Sequence, residues 1–181
     1  MRVHHLAAII ALALGCRGGT GAVSPPAGMS VASITVTSSS ILPNAPVPIE
    51  YTCDGKDLFP ALTWSAPPPG TRSIAIVVDD PDAPGGTFTH FIAFDLPSDL
   101  RAVKEGSDLP ALGGRIGRND FDRVAYSGPC PPRGEEHRYL FKVLALDQLL
   151  TVAEGIPRAE IDAAMNGHLL GEGALTSTFG H

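Results

Sequence analysis

The chain lacks any hydrophobic run long enough to cross a bilayer as a helix. Its longest apolar stretch, Leu6 to Leu14, falls well short of the roughly twenty residues required. It also lacks a basic run, and 13 lysines and arginines against 19 acids leave a net charge of -6. That balance offers no electrostatic footprint for nucleic acid or for an anionic membrane face, so any anion must be held locally. There is no C-x-x-C and no H-E-x-x-H, which removes the sequence support for a zinc ribbon, a thioredoxin-like redox pair or a zincin helix. A nucleophile elbow of the form G-x-S-x-G is absent too, as is any internal repeat. What is abundant is turn chemistry: 17 prolines and 20 glycines spread over 181 residues suit many short strands joined by tight turns rather than a helical bundle. With 44% hydrophobic residues the length predicts one domain with one ordinary core.

The N-terminus reads as an address. Arg2 precedes the apolar stretch, and "LALGC" ends it at Cys16, in the manner of a lipoprotein signal cut before a cysteine that receives lipid. Ordinary secretory cleavage after a small residue is the alternative. Residues 1–15 are thus expected to be a signal peptide, 16–30 ("CRGGTGAVSPPAGMS") a flexible tether, and 31–181 the folded domain. The expected location is outside the cytoplasm, lipid-anchored in a bacterial cell envelope or else soluble in the periplasm or medium. With Cys16 lipidated, Cys53 and Cys130 remain as an even pair, either bridged or as two buried thiols. A bridge over so long a loop stabilises by roughly 4 kcal/mol on the chain-entropy model.

Alternation and β-branched content predict strands near 33–38, 46–51, 61–64, 73–79, 89–96 and 138–146, with a last strand in "ALTSTFG". Pro157 opens a short amphipathic helix with Ile161, Ala164, Met165 and Leu169 on one stripe. Residues 97–135 show little periodicity and should wander over one end of the sheets. Strand parity aligns Asp80 with Ile74, Ile76 and Val78, His90 with Ile92, Phe94 and Leu96, and His137 with Tyr139, Phe141 and Val143. Each polar group ends an apolar row, where it needs partners or a wet cavity. If the three strand ends converge, Asp80, His90, His137 and Tyr139 line one small polar pocket. Stiff turns aim them: Pro81 and Pro84 in "DPDAPGG" hold Asp80 and Asp82, and "SGPCPPRGEEHRY" delivers His137 and Tyr139. Imidazole N–H and phenol O–H donate to phosphate or carboxylate, and an aspartate behind a histidine favours its charged form. Plainer readings stand beside these: satisfied structural histidines, aspartates as turn caps, Tyr139 and Phe141 as core, or two histidines and an aspartate on zinc.

The same residues carry a resemblance. "YTCDGKDLFPALTWSAPPPGTRSIAIVVDDPDAPGGTFTHFIAFDLP", "GRNDF" and "GPCPPRGEEHRYLFKVLALD" resemble the phosphatidylethanolamine-binding protein family, specifically its bacterial Raf kinase inhibitor-like branch, from about Ile34 to the C-terminus. The resemblance implies a mainly β fold of two antiparallel sheets with Greek-key connections and a few short peripheral helices. It also implies a small anion pocket that takes phosphate-like groups, phospholipid headgroups included, with no metal or redox cofactor. Carried over, Asp80, Asp82 and Pro84 match D-P-D-A-P, His90 the histidine after it, and Gly128, Pro131, Pro132, His137 and Tyr139 the second motif. Cys53 and Cys130 both flank pocket loops, which makes their disulfide the expectation. Two departures stand out: Phe59 before Pro60, where the family usually has serine, and Phe91 after His90, where tryptophan is common. Both bear on the pocket rim and hence on ligand preference.

The resulting expectation is a non-enzymatic binding protein for a small anionic or phosphorylated ligand, held to a membrane by its N-terminal lipid and without nucleic-acid partners. An interaction module that inhibits a protease or kinase is the alternative. A hydrolase in which Asp80 orients His90 or His137 as general base is the third reading, and no serine or cysteine is visibly paired with either histidine.

Overall fold

The computed structural model describes residues 23–181. The expected signal peptide and Cys16 lie outside the described residues. Of the expected tether, residues 23–30 are described and are tied down at Ser24: its hydroxyl meets Asn166 Oδ1 at 2.6 Å and its carbonyl accepts from Gly167 and Leu169. Among the described residues no helix is long and apolar enough to cross a membrane.

Among the described residues nine strands run in chain order: β1 (Ala32–Ser33), β2 (Val36–Thr37), β3 (Leu62–Trp64), β4 (Ser73–Asp80), β5 (Phe88–Pro97), β6 (Ala102–Val103), β7 (Arg115–Ile116), β8 (Glu136–Leu146) and β9 (Leu169–Gly180), with one α-helix, α1 (Arg158–Met165). They form a six-stranded sheet in the order β1-β9-β8-β4-β5-β7 and a three-stranded sheet β2-β3-β6. All pairs are antiparallel except β1 with β9. The mainly β, two-sheet architecture expected from the sequence is therefore present.

The large sheet is apolar on both faces, and all eight residues of β4 are buried. Ile74, Ile76, Val78, Phe91, Tyr139, Phe141 and Val143 face the small sheet and join Leu62 and Trp64 in one core. Ala75, Val77, Ile92, Phe94, Leu144 and Leu146 face the other way and are covered by Ile161 and Met165 of α1. The helix is the expected amphipathic one, but Leu169 belongs to β9 rather than to its stripe.

Two sequence expectations are corrected. Residues 46–51 do not form a strand: Pro46 makes a single bridge to Thr178, and a 3-10 turn follows at Ile49–Tyr51. Val47 N–H donates to the Thr178 carbonyl at 2.7 Å, but the chain then turns, with the Pro48 carbonyl accepting Tyr51 N–H, and leaves the edge of β9 before a second bridge forms. The parity of β5 also fails. Its register against β4 shifts twice, once between Leu96 and Ala93 and once between Phe91 and Thr89, each shift inserting one residue into β5. Asp95 sits at the first, left-handed at φ 61°, its carboxylate taking Leu150 N–H at 2.8 Å and pairing with Arg115. His90 is the inserted residue at the second. Ile92 and Phe94 consequently face α1, whereas Leu96 and the ring of His90 lie on the face toward the small sheet.

Candidate functional site

The bulge decides the site. An unbroken β5 would have aimed His90 with Ile92 toward α1, away from Asp80 and Tyr139. Instead its ring meets the Tyr139 ring edge-on, with centroids 5.2 Å apart, and Phe88 and Phe121 flank it at 5.3 Å. The β4–β8 register has no shift, so Asp80, the last residue of β4, lies beside Tyr139 of β8, and His137 lies two residues nearer the start of β8 on the same face. His137 Nδ1 is 2.7 Å from Asp80 Oδ2, and the other Asp80 oxygen accepts Asp82 N–H at 2.9 Å. Asp80, His90, His137 and Tyr139 thus converge, at 3, 2, 4 and 0% exposure respectively, in a deeply recessed cluster.

Protonation follows from the partners. His90 Nδ1 lies 2.9 Å from the carbonyls of both Ser127 and Gly128, so it carries the proton and donates to them. Burial lowers the His90 pKa against the help of those two carbonyls, leaving a neutral ring whose Nε2 is an acceptor. His137 is the opposite case. Its Nε2 lies 3.1 Å from Glu135 Oε2, so both nitrogens face carboxylates. Burial works to lower its pKa, but the hydrogen bonds to Asp80 and Glu135, and then their charges, hold it above the ordinary value. Tyr139 Oη is buried and makes no hydrogen bond of good geometry, although the Asp80 carboxylate and the Cys130 backbone lie close to it. Burial followed by the Asp80 charge drives its pKa far up, so it stays a phenol.

The remaining expected site residues shape these four. Asp82 is turned outward onto Arg138, accepting Nη2 at 2.6 Å and Nε at 2.9 Å, and these bonds pull its pKa to about 2. Its backbone N–H, rather than its carboxylate, serves the cluster. Pro84 is exposed in the turn between β4 and β5. Gly128 supplies a carbonyl to His90 and its N–H to Asp57 Oδ1 at 2.6 Å; a Cβ there would collide with the Tyr51 carbonyl oxygen. Pro131 and Pro132 act through their carbonyls, on His181 Nε2 and on Glu135 N–H. Cys53 and Cys130 are disulfide-bonded, with Cα atoms 5.5 Å apart, which ties the 128–131 loop to the 52–54 turn. Phe59 and Phe91 are buried rather than on the rim: their rings are 5.2 Å apart, and Tyr126 packs on both. The two departures from the family pattern therefore touch one another.

Two residues escaped the sequence reading. Asn119, in "GRNDF", reaches the His90 carbonyl at 3.0 Å and Ser127 Oγ at 3.1 Å through Nδ2, while its Oδ1 accepts from Phe121 and Arg123. It joins the His90 bulge to the loop that holds the ring. Glu135, the second, sits over His137.

The sequence profile of a family described as Phosphatidylethanolamine-binding protein matches residues 37–180. The chain belongs to that family. Among the relatives of this phosphatidylethanolamine-binding protein family member, a UPF0098 protein of Aquifex aeolicus is 43% identical over 152 residues, covering 82% of this chain and 89% of its own. A UPF0098 protein of Pyrococcus horikoshii is 41% identical over 182 residues, covering 96% of this chain and 86% of its own. Similarity thus extends beyond a bacterial branch to archaea. Among solved structures, E. coli YbcL, described as a new member of the mammalian PEBP family, superposes with a TM-score of 0.78 at 29% identity over 83% of this chain and 99% of its own. A PEBP homologue from Chlamydia trachomatis gives 0.76 at 30% identity over 84% and 99%.

Proposed function

We propose that this family member binds a small phosphorylated or carboxylated anion at the Asp80–His90–His137–Tyr139 cluster, as a binding protein rather than an enzyme. The observation that carries the reading is Tyr139 Oη, a buried phenol donor with no partner, beside an imidazole biased toward its charged form. A buried donor left unpaired costs about 1–3 kcal/mol, a penalty that a bound oxyanion would remove. His137 supplies charge, Tyr139 a neutral donor and His90 Nε2 an acceptor suited to a protonated phosphate oxygen. Glu135 then stands where the anion would: its carboxylate meets His137 Nε2 and its side chain is 54% exposed, so a ligand can displace it. The family's description as phosphatidylethanolamine-binding favours a phosphorylated headgroup as occupant.

The test is a titration with inorganic phosphate and with phosphoethanolamine, followed by the imidazole resonances of His90 and His137. Both should shift saturably, and silence from both ends the proposal. The expected export and lipidation belong to the same reading, with support from the Cys53–Cys130 disulfide. Metabolic labelling with a fatty acid should mark the native chain and not Cys16→Ser.

A further inference from the structure

A second cluster lies around the disulfide. The sulfurs of Cys53 and Cys130 and one ring nitrogen of His181 all lie within 4.8 Å of one another, and both cysteines are exposed. His181 is an exposed residue too, but its side chain is only 9% exposed. Its Nδ1 is 2.7 Å from Asp54 Oδ2, its Nε2 is 2.9 Å from the Pro131 carbonyl, and its ring packs on Phe179 with centroids 5.5 Å apart. The disulfide of two exposed cysteines thus has an imidazole held beside it by two further groups. Holding two strands of chain together needs only the bond; the oriented imidazole is surplus to that task.

We propose that, once the bridge is reduced, Cys53, Cys130 and His181 form a binding site for a thiophilic divalent cation of the zinc class. A dithiol reductant supplies two electrons and two protons. The sulfur–sulfur bond breaks, the dithiol closes to its own disulfide, and Cys53 and Cys130 become thiols. Cation binding then displaces both thiol protons, together with any proton on the coordinating imidazole nitrogen. Two thiolates and one imidazole are a common zinc ligand set, with a fourth position left for water or for the adjacent Asp54 carboxylate. Tetrahedral coordination needs the sulfurs about 3.8 Å apart, given zinc–sulfur bonds of about 2.3 Å. With Cα atoms 5.5 Å apart, side-chain rotation supplies most of that opening.

Whichever ring nitrogen binds, the other keeps a partner, Asp54 or the Pro131 carbonyl, and such outer contacts fix ring orientation and raise ligand basicity. The cation would replace the covalent clamp between the 52–54 turn and the loop whose Ser127 and Gly128 carbonyls hold His90. This site is separate from the anion cluster and does not depend on it.

The experiment uses the full chain carrying Cys16→Ser, so that only two thiols can appear, with cobalt(II) as the optical probe. Reduced anaerobically by a dithiol that is then removed, the protein should bind one cobalt with a thiolate-to-cobalt charge-transfer band and the strong visible absorption of a tetrahedral site. Zinc should displace the cobalt. The oxidised chain should give neither signal, Cys53→Ser should lose the charge-transfer intensity of one thiolate, and His181→Ala should bind at least tenfold more weakly. Circular dichroism checks that each reduced variant is folded. Absence of the charge-transfer band from the folded, reduced chain overturns the proposal, as does a His181→Ala protein with unchanged spectrum and affinity. Should the reduced chain unfold, cobalt must restore its fold along with the band, and failure to do so also overturns it.

Discussion

Asp79 and Asp80 are consecutive residues at the end of one strand, and they end in opposite circumstances. Asp79 points toward α1, where Lys142 Nζ is 2.8 Å away, Arg158 Nη1 2.7 Å and Thr89 Oγ1 3.2 Å. Both carboxylate oxygens are engaged. Arg158 continues to Asp162 at 2.6 Å, and the other Asp162 oxygen is buried without a partner. Asp80 points toward the small sheet, where one histidine and one backbone N–H hold it beside a phenol that makes no hydrogen bond of good geometry. Burial is the same for both, at 1 and 3% exposure. What separates a structural carboxylate from a candidate site, then, is the presence of an unspent donor nearby.

The largest effect that sharpens this contrast is expected on the closed side. Asp79→Ala leaves Lys142 and the largely buried Arg158 without their shared anion, and should cost about 3–5 kcal/mol in denaturant unfolding. A cost under about 1 kcal/mol would mean that Lys142 and Arg158 do not depend on the Asp79 charge. The pH dependences also run in opposite senses. Burial raises the Asp79 pKa, but the Arg158 and Lys142 charges outweigh it and leave it lowered. Its contribution is therefore present above the unfolded value of 3.8 and lost as pH falls through the folded one. The raised His137 pKa gives a contribution complete below 6.5 and lost as pH rises through its folded value.

On the open side, Tyr139→Phe should leave the unliganded stability unchanged or higher, because it deletes an orphan donor. It should nevertheless weaken phosphate binding about 10- to 100-fold, the value of a hydrogen bond to a charged group. Calorimetric titration beside thermal unfolding reads both, and a large stability loss without an affinity loss would make Tyr139 plain core. Asp80→Asn ranks next. His137 loses its charged neighbour, so phosphate affinity should fall about tenfold near neutral pH, with the binding profile collapsing at lower pH than in the native protein. An unaltered profile would separate the His137 charge from the Asp80 contact.

Legibility followed chain regularity. Ile74, Ile76, Val78 and Asp80 and their neighbours His137, Tyr139, Phe141 and Val143 alternate as the sequence implies, because β4 and β8 pair without a slip. The face of His90 was not legible. Each extra residue in β5 inverts the parity, and nothing in "THFIAFDLP" announces it except Asp95, whose left-handed backbone depends on distant Arg115 and Leu150. His90 lies beside Tyr139 because of the inserted residue and not by the parity of an unbroken strand. Similarly, "PVPIEY" has strand-like alternation, but after Val47 bonds to Thr178 the chain turns at Pro48 instead of following β9. Asn119 was invisible because the folded loops bring it to the His90 carbonyl. Glu135 lies only two residues from His137, and what the sequence does not show is that its side chain folds back onto the ring.

Glu135 gives the smallest expected effect and the most direct probe of the open side. It lies just outside β8, after the turn at Gly134 with φ 86°, and its half-exposed carboxylate competes for the nitrogen that a ligand anion would use. An ion pair of that exposure is worth less than about 1 kcal/mol, so Glu135→Gln should strengthen phosphate binding by about two- to fivefold. The same change should lower the His137 pKa in the unliganded protein, since one of its two carboxylates is gone. Substituting a residue at the mouth of a site usually weakens binding, and the predicted sign here is the reverse. Tighter binding together with a lower imidazole pKa would identify Glu135 as a built-in substitute for the ligand. Weaker binding would make it part of the ligand's own grip, and the cluster would then resemble the closed network around Asp79 more than an open one.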